Sequence, residues 1–546
     1  MVTMLTMQRT ILITSIWTAV SVAASAQAPV APAASSRPTL RLTVDEAVKM
    51  ALDHNIDLAA ERLDPQIGDA RVAAATGAFR PAFTTGVQRN NQLQPPASFL
   101  IPAPTRNDAV TSRVGLDQKL PWLGTSYSLS WSTAHTNSNS FLNSYNPILE
   151  SGLSVNVSQP LVRDMATDAA RQQLATSRVD REIAGARLRE TLVHTVAGVK
   201  SAYWNLVSAI ANVEARQAAL DLARELVRVN RAKVDVGQSP PLDLVAAEAE
   251  VAADREQLII AETSVRQGED QLRTQIFDTS DPSVWTVKID PIDPPPLGLA
   301  SPDLDAAVAN ALRDRADLAR ARKDIDNAQV GVKFTSNQRL PDVRVNASYL
   351  ASGLGGTQVL RTGGFPGAIT GSGGVTDFGS VLNQLITGRY STWAVGLSVS
   401  YPIGQASEEA NYARAKLEHV QSQGRLKSAE SRAVQQVRDA WWKIDMNAKR
   451  IETTRAAREL AEQRLDAERK RLDVGISTSF LVIQAQRDLA QARTSELSAT
   501  LAYDLALVDF EALQQAGPGD AQPASPAAGG SATSPSTTVL RTPGGL

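Results

Sequence analysis

The chain repeats itself, and this repeat constrains its fold more than any other feature of the sequence. The stretch KVDVGQSPPLDLV (Lys233–Val245) returns 238 residues later as RLDVGISTSFLVI (Arg471–Ile483). The stretch DEAVKMALDHNIDLAAER (Asp45–Arg62) returns at an offset of 260 residues as DAAVANALRDRADLARAR (Asp305–Arg322). Because the offset changes only between matched blocks, loop lengths differ while the elements are shared. The sequence therefore predicts two tandem copies of one structural unit.

The first residues of the chain predict export. One basic residue, Arg9, precedes an apolar run and the small residues of Ala24–Ala26, which is the pattern of a secretory signal peptide. The alternative, a membrane anchor, needs about 20 apolar residues, and this run is shorter. The predicted segments are a signal peptide (1–26), an N-terminal linker (27–41), a first repeat (42–277), a Pro-rich joint (278–303), a second repeat (304–515) and a disordered Pro-, Gly- and Ser-rich tail (516–546).

Each half is dominated by one very long helix. Thr167–Val236 and Ser407–Val474 contain no Pro, and each predicts a helix of roughly 100 Å at about 1.5 Å per residue. Apolar residues four and three positions apart form a heptad seam in both, which indicates packing between helices. The aromatic residues in the seam are interpreted as packing, with a ligand box as the alternative. The seam positions are Val199, Tyr203, Leu206, Ile210 and Val213, and then Val437, Trp441, Ile444, Ala448 and Ile451.

Shorter helices accompany each long one. A helix of about 20 residues is predicted near the start of each half, and another follows the repeated glycine turn. Together the two shorter helices nearly match the long helix in length, as two layers of a tube would. They are predicted over Asp57–Gly77 and Leu242–Phe277 in the first half, and over Asp317–Asn337 and Phe480–Gln515 in the second.

Alternating segments predict β-strands between these helices. In WAVGLSVSY (Trp393–Tyr401), large apolar residues share one face while Ser, Gly and Ala share the other. This period of two is typical of a transmembrane β-barrel, although a half-buried strand of a soluble sheet has the same period. The export signal and the Ser- and Asn-rich faces favour the barrel. Strands are predicted over Ala82–Asn90, Ser112–Leu120, Thr125–Ala134 and Gly152–Gln159, and over Asp342–Ser352 and Ser391–Tyr401.

Four prolines mark the junctions between helices and strands. Pro81 and Pro341 lie where a helix gives way to a strand, and Pro160 and Pro402 lie where a strand gives way to a helix. Proline has no backbone N–H to donate to the hydrogen bonds of a helix or of a sheet, so it is suited to the boundary between a helix and a strand.

Composition argues against several classes of function. The formal net charge is −2 and there is no cysteine, so neither a nucleic-acid partner nor a thiol or Cys-ligated metal site is indicated. The four histidines are scattered, and no phosphate-binding loop, H-E-x-x-H or G-x-S-x-G motif is present. The sequence predicts no catalytic residue, no cofactor and no metal. A non-channel coiled-coil protein, such as a periplasmic adaptor or surface fibre, stays open as an alternative.

The order of these elements resembles the TolC-like outer-membrane efflux proteins over about 42–515. The signature stretches are SQPL (Ser158–Leu161) and SYPI (Ser400–Ile403) at strand ends, and KVDVG and RLDVG at the hairpins. The resemblance implies a mostly α protein with a transmembrane β-barrel part, built from duplicated helix–strand–strand–long helix–turn–helix halves. It implies a homotrimer whose α-barrel crosses the periplasm, whose shared β-barrel contacts outer-membrane lipid, and which joins a periplasmic adaptor to an inner-membrane transporter.

The number of strands departs from that pattern. The family has two strands per repeat, whereas the first half has four predicted segments, with LPWLGTS (Leu120–Ser126) as a turn on the periplasmic side. Either the trimeric barrel is wider than twelve strands, or one hairpin lies outside its wall.

The repeated turn is predicted to be the periplasmic end of each long hairpin. Gly237 and Gly475 follow helix ends, where a residue with positive φ is needed. Ser239, and Ser477 or Ser479, are predicted to cap the next helices, with Pro240 as a first helical residue. The resemblance implies that these tips dock an adaptor. The predicted docking residues are Lys233, Asp235, Gly237 and Gln238, and Arg471, Asp473, Gly475 and Ile476.

Only one of the positions that correspond to the acids of the family's periplasmic aperture, counted in both repeats, has an acidic residue in this sequence. In its best-known member, acids lie six and nine positions after the second-repeat glycine. Those positions are Leu481 and Gln484 here, and their first-repeat counterparts are Asp243 and Ala246. Asp243 is therefore the single aperture candidate.

Overall fold

A computed structural model describes most of the chain. The predicted signal peptide, most of the predicted linker and most of the predicted tail lie outside the described residues, and so does Pro402. The described ranges are 39–96, 103–140, 142–294, 302–364, 367–401, 403–404 and 406–518.

Four helices form two long antiparallel hairpins. In the first hairpin, α4 (Ala169–Asp235, 67 residues) packs along α5 (Pro241–Ile276). In the second, α9 (Ala406–Asp473, 68 residues) packs along α10 (Ser479–Leu513). Helix α10 also packs on α4, so the two hairpins lie side by side with both turns at the same end. The predicted long helices are confirmed.

The heptad seams form the cores of these hairpins. Val199, Tyr203 and Leu206 are fully buried in a cluster with Leu272 and Ile276 of α5. In α9 the corresponding Val437 and Ile444 are buried in a cluster with α10, and Trp441 packs against it partly buried. The adjacent aromatic pairs pack edge to face, at 5.3 and 4.9 Å between ring centroids. The interpretation of the seam aromatics as packing is confirmed.

Shorter helices complete the other end of each hairpin. In the first half, α1 (Val44–His54), α2 (Ile56–Glu61) and α3 (Asp64–Gly77) precede the strands, whereas the second half has α6 (Leu304–Asp314) and one continuous α7 (Ala316–Gln338). The prediction of a single helix over Asp57–Gly77 is wrong. Pro65 lies in the first turn of α3, where the missing N–H costs nothing, and the preceding helix ends before it.

Seven strands form one antiparallel sheet. Four come from the first half: β2 (Ala82–Gln94), β3 (Thr105–Lys119), β4 (Ser126–Ser138) and β5 (Tyr145–Pro160). Three come from the second half: β7 (Asp342–Thr362), β8 (Ala368–Thr376) and β9 (Tyr390–Ser400). The order is β2-β3-β4-β5-β7, with β9 beside the lower part of β7 and β8 beside its upper part.

The six predicted strands are present, but several boundaries were wrong. β3, β5 and β7 extend 7 to 10 residues further from the helices than predicted, and β8 and helix α8 (Phe378–Ile386) were missed. The extensions are rich in Asn, Thr and Gly and lack the alternation on which the prediction relied. Pro81 and Pro341 directly precede β2 and β7, and Pro160 ends β5, as predicted.

A small parallel sheet ties the first half to the segment that follows it. Strand β1 (Thr39–Leu42) pairs with β6 (Lys288–Pro291), which lies inside the predicted Pro-rich joint after a 3₁₀ helix at Pro282–Thr286. Leu42 and Ile289 reach the cluster around Tyr203, whose hydroxyl donates to the Leu42 carbonyl at 3.0 Å. Among the described helices, none combines the length and the apolar character needed to cross a membrane.

Candidate functional site at the hairpin tips

The two repeated turns have the same backbone hydrogen bonds. In the first, the N–H of Gly237 donates to Val234 and that of Gln238 donates to Lys233, at 3.0 and 2.7 Å. In the second, the N–H of Gly475 donates to Leu472 and that of Ile476 to Arg471, at 3.2 and 2.9 Å. With φ of +72° and +75° at the two glycines, both turns are Schellman motifs. The prediction of positive φ at both glycines is confirmed.

The predicted caps of the following helices were wrong. Helix α5 begins at Pro241 after Pro240, so the cap lies one residue beyond Ser239 and no side chain bonds to it. Helix α10 begins at Ser479 after Thr478, again without a side-chain cap. The serine hydroxyls make other contacts: Ser479 Oγ donates to Asn230, and Ser477 Oγ donates to Glu468.

Asn230 joins the two tips. Its side chain is fully buried, with Nδ2 donating to the carbonyl of Asp243 at 3.2 Å and Oδ1 accepting from Ser479 Oγ at 2.9 Å. One side chain on α4 therefore holds the first turn of α5 and the first residue of α10. A buried amide with these partners fixes the two hairpins relative to one another.

Charged residues add further contacts at the tips. Lys233 Nζ donates to the carbonyl of Leu472 at 3.2 Å, which places a cation at the C-terminus of α9, where the helix dipole favours it. Glu468 accepts from Ser477 at 2.7 Å and pairs with Arg471 at 2.8 Å. The Ser477 hydroxyl and the Arg471 guanidinium together lower the pKa of the Glu468 carboxyl.

Several apolar side chains at the tips are exposed. Ile476 is 79% exposed and Phe480 is 69% exposed, close to the second turn. Leu242 is 74% exposed close to the first turn. Val236 and Val474 sit at matching positions directly before the two glycines, and both are exposed. Underneath, Leu226, Ala247, Leu472, Val482 and Ile483 form a buried cluster that supports the surface.

The structure brings the predicted docking residues together at one end of the molecule. Asp235, Gly237 and Gln238 are exposed at the end of the first hairpin, and Lys233 is half-buried because it reaches across to α9. Arg471, Asp473, Gly475 and Ile476 are exposed at the end of the second. The equal backbone turns thus carry different side chains outward.

The aperture candidate, Asp243, has a local structural role. It is the third residue of α5, where the helix dipole favours an acid, and it is half-buried with its carbonyl bonded to Asn230. Two turns further from the tip, the buried Glu250 accepts a bifurcated hydrogen bond from Arg487 Nε of α10, with N···O distances of 2.9 and 3.0 Å. Burial, and then the Glu250 charge, raise the pKa of neighbouring Asp254.

Sequence reasoning missed the residues that connect the hairpins. Asn230, Ser479, Glu250 and Arg487 lie on helices whose pairing is not visible in a single sequence. A weak signal existed for Asn230, because it lies three residues after Val227 and four before Val234, where a heptad seam would carry an apolar residue. Within the described ranges, no three His, Asp or Glu side chains converge on a site that would hold a metal.

Comparison with known proteins agrees with this architecture. The family model for the outer membrane efflux protein matches residues 103–276 and 307–514. No curated protein sequence matches the chain. The fold is similar to the outer membrane protein VceC of Vibrio cholerae, at 16% identity and a TM-score of 0.59 over 86% of this chain and 96% of that one.

Two solved channels from other bacteria share the fold. The CmeC outer membrane channel of Campylobacter jejuni is 14% identical, with a TM-score of 0.60 over 86% of this chain and 85% of that one. The MtrE outer membrane channel of Neisseria gonorrhoeae is 17% identical, with a TM-score of 0.58 over 87% and 89%. The members of the matched family are channel proteins rather than enzymes.

The family match spans both halves of the chain and most of its described length. It agrees with the duplicated hairpins, with the antiparallel sheet at one end and with the two glycine turns at the other. The chain therefore belongs to the outer membrane efflux protein family, the homotrimeric outer-membrane channels that work with periplasmic adaptors and inner-membrane pumps in tripartite export systems.

Proposed function

We propose that the chain acts as a passive conduit whose six tips, two from each copy, are the surface on which the adaptor docks. The proposal assigns no catalytic step to the chain. The observation that carries it is the exposed apolar surface at the tips, above all Ile476, which is 79% exposed. A tip that only turned the chain would gain nothing from an isoleucine in water, whereas a docking surface would bury it.

The proposal makes the two tips unequal. The two Schellman turns have the same backbone hydrogen bonds, but the exposed residue after the glycine is the polar Gln238 in the first and the apolar Ile476 in the second. Burying one isoleucine side chain is worth roughly 1.5–3 kcal/mol. An adaptor arranged around the trimer would therefore hold the second-repeat tips more tightly than the first-repeat tips.

Matched substitutions test this difference. Ile476→Asp removes apolar area and adds a charge at the second tip, and Gln238→Asp adds the same charge at the equivalent position of the first. Both side chains are exposed and, within the described part of the chain, neither makes a hydrogen bond or an ion pair, so neither change disturbs the hairpins. We expect Ile476→Asp to weaken adaptor binding and export in cells at least tenfold more than Gln238→Asp.

The single-channel conductance of purified trimers serves as the control, because pore properties should be equal in both variants and the parent protein. Equal and negligible effects of the two substitutions on export would show that the tips are only turns. Loss of conductance in either variant would show that the tips act on the pore.

A further inference from the structure

The sheet of one chain ends in two unpaired edges. Six strands stand side by side at the level nearest the helices: β2, β3, β4, β5, β7 and β9. Within the described residues, β2 pairs only with β3, and β9 pairs with β7 alone. All of β2 and all of β9 are exposed. Unpaired N–H and C=O groups cannot remain along a strand in lipid, so a membrane barrel must pair these edges.

All six strands have the same two faces. The register puts one residue of each strand on a single line: Ala82, Asp117, Ser128, Asn156, Ser348 and Ala394. Residues in step with this line are mostly polar or small, such as Gln88, Arg113 and Glu150. The residues between them form the other face, which is apolar and includes Phe83, Val114, Leu129, Val155 and Val395. The extra hairpin of the first half thus has a lipid-type face and a lumen-type face, as the other strands do.

The β2–β3 hairpin would be less stable outside the wall of the membrane barrel. Phe83 and Val87 on β2 are 69% and 75% exposed in the isolated chain. Outside a membrane these side chains would stay in water, and each would lose the roughly 1.5–3 kcal/mol that burial of a large apolar side chain provides. In the wall they face lipid, next to Val114 and Leu116 of β3.

The directions of the edge strands allow neighbouring copies to pair. Strand β2 runs away from the helices after α3, and β9 runs back towards them before α9. Strands alternate in direction across the sheet, so β9 of one copy lies antiparallel to β2 of the next. Three copies joined in this way close a barrel in which every pair of neighbouring strands is antiparallel.

The register of the new pair follows from the ends of the strands. Aligning Ser400 with Ala82 places Tyr390 opposite Gln92, so all 11 residues of β9 find partners on β2. The line of paired residues that starts at Ala82 crosses the sheet to Ala394, which pairs with Gln88 on β2 of the next copy. The line therefore moves six residues along β2, away from the helices, for each copy that it crosses. Over three copies the shear equals the number of strands, which gives a tilt of about 36°. Membrane barrels have tilts of about 35–45°.

We propose that three copies of this chain share a barrel of eighteen strands, six from each, closed by β2 of one copy on β9 of the next. This inference rests on the trimer. With strands about 4.8 Å apart and tilted by about 36°, the backbone diameter is about 34 Å, against about 23 Å for twelve strands. Barrels of 16 to 18 strands enclose an aqueous channel even in single-chain porins. The wider wall gives this conduit room for bulky cargo in the outer membrane.

Disulfide cross-linking tests the proposal, because the chain has no cysteine of its own. In the double variant Gln88→Cys with Ala394→Cys, the two side chains meet on the lumen face of neighbouring copies. The matched control is Ser132→Cys with Ala394→Cys, which meet only if β4 is the edge and the barrel has twelve strands at the same tilt. Val87→Cys with Val395→Cys repeats the first test on the lipid face, should the lumen pair fail to assemble.

Mild oxidation of trimers should convert nearly all of the Gln88→Cys/Ala394→Cys protein into covalent dimers and trimers on non-reducing gels. The Ser132→Cys/Ala394→Cys protein should stay monomeric on the same gels. Cross-linking of the control pair, or of no pair in a protein that light scattering shows to be trimeric, would overturn the eighteen-strand barrel and leave the trimer intact. A monomer by light scattering would overturn the trimer and the barrel together.

Discussion

Replacing Asn230 with alanine should loosen both tips at once. The side chain is fully buried, and its two hydrogen bonds of 3.2 and 2.9 Å reach α5 of its own hairpin and α10 of the other. Each neutral bond contributes about 0.5–1.5 kcal/mol net. The substitution therefore removes about 1–3 kcal/mol from the local stability of the tips.

Hydrogen exchange is the suitable assay, because the tips can open without unfolding the rest of the tube. Every 1.4 kcal/mol corresponds to about a tenfold change in protection, so amides in the first turns of α5 and α10 should exchange about 5- to 150-fold faster in Asn230→Ala. Amides around Tyr203, far from the tip, should be unchanged and serve as the internal control.

A second variant tests the hydrogen bond without removing the Asn230 side chain, whose loss would also leave a cavity. Ser479→Ala leaves Asn230 Oδ1 buried without a partner, which costs about 1–3 kcal/mol. Because both changes break the same bond, the double variant should lose less protection than the two single variants added together. Additive effects, or unchanged exchange in the first turn of α10, would show that Asn230 does not join the hairpins.

Three further results are expected. Gly237→Val and Gly475→Val each place a Cβ in open space at positive φ; the local strain of about 1–3 kcal/mol should reduce export while trimers still reach the outer membrane, and failure of assembly would refute a purely local role. Burial raises the pKa of Asp504 to about 7, above the unfolded value of 3.8; thermal stability of the trimer should therefore fall as pH rises from about 4 to 7, and Asp504→Asn should abolish that slope. Tyr203→Phe removes the hydroxyl bonded to Leu42 and Asp293, and should cost about 1–3 kcal/mol in denaturant unfolding, whereas an unchanged midpoint would show that the bonds are dispensable.

The sequence predicted the elements whose patterns are local. The glycine turns were correct because a Schellman motif needs only a helix end and a residue that tolerates positive φ, and both are visible within five residues. The seam around Tyr203 was correct because the heptad period repeats in both halves. The strand segments were found because alternation of apolar and small residues needs only a few residues to appear.

Features that depend on contacts between distant segments were not predictable in this way. The prediction of Ser239 as the cap was wrong because a helix can start at either of two consecutive prolines, and the serine before them does not fix which one. The partnership of Asn230 with Ser479 joins residues 249 positions apart, and no local pattern indicates it. The upper half of β7 was missed because its Gly- and Thr-rich residues lack the alternation of apolar and small residues on which the prediction relied.

The pairing of β1 with β6 has a consequence for how such a chain arises. It brings Leu42, at the start of the first half, beside Pro291, just after that half ends. A unit whose two ends meet can be followed by a second copy of itself without a spanning linker and without moving any of its own helices. Fusion of two half-length genes would then have been structurally neutral at the moment it occurred. Fused halves can then differ from one another, and the additional hairpin in the first half and the isoleucine at the second tip are the kind of asymmetry that a ring of six identical subunits cannot hold.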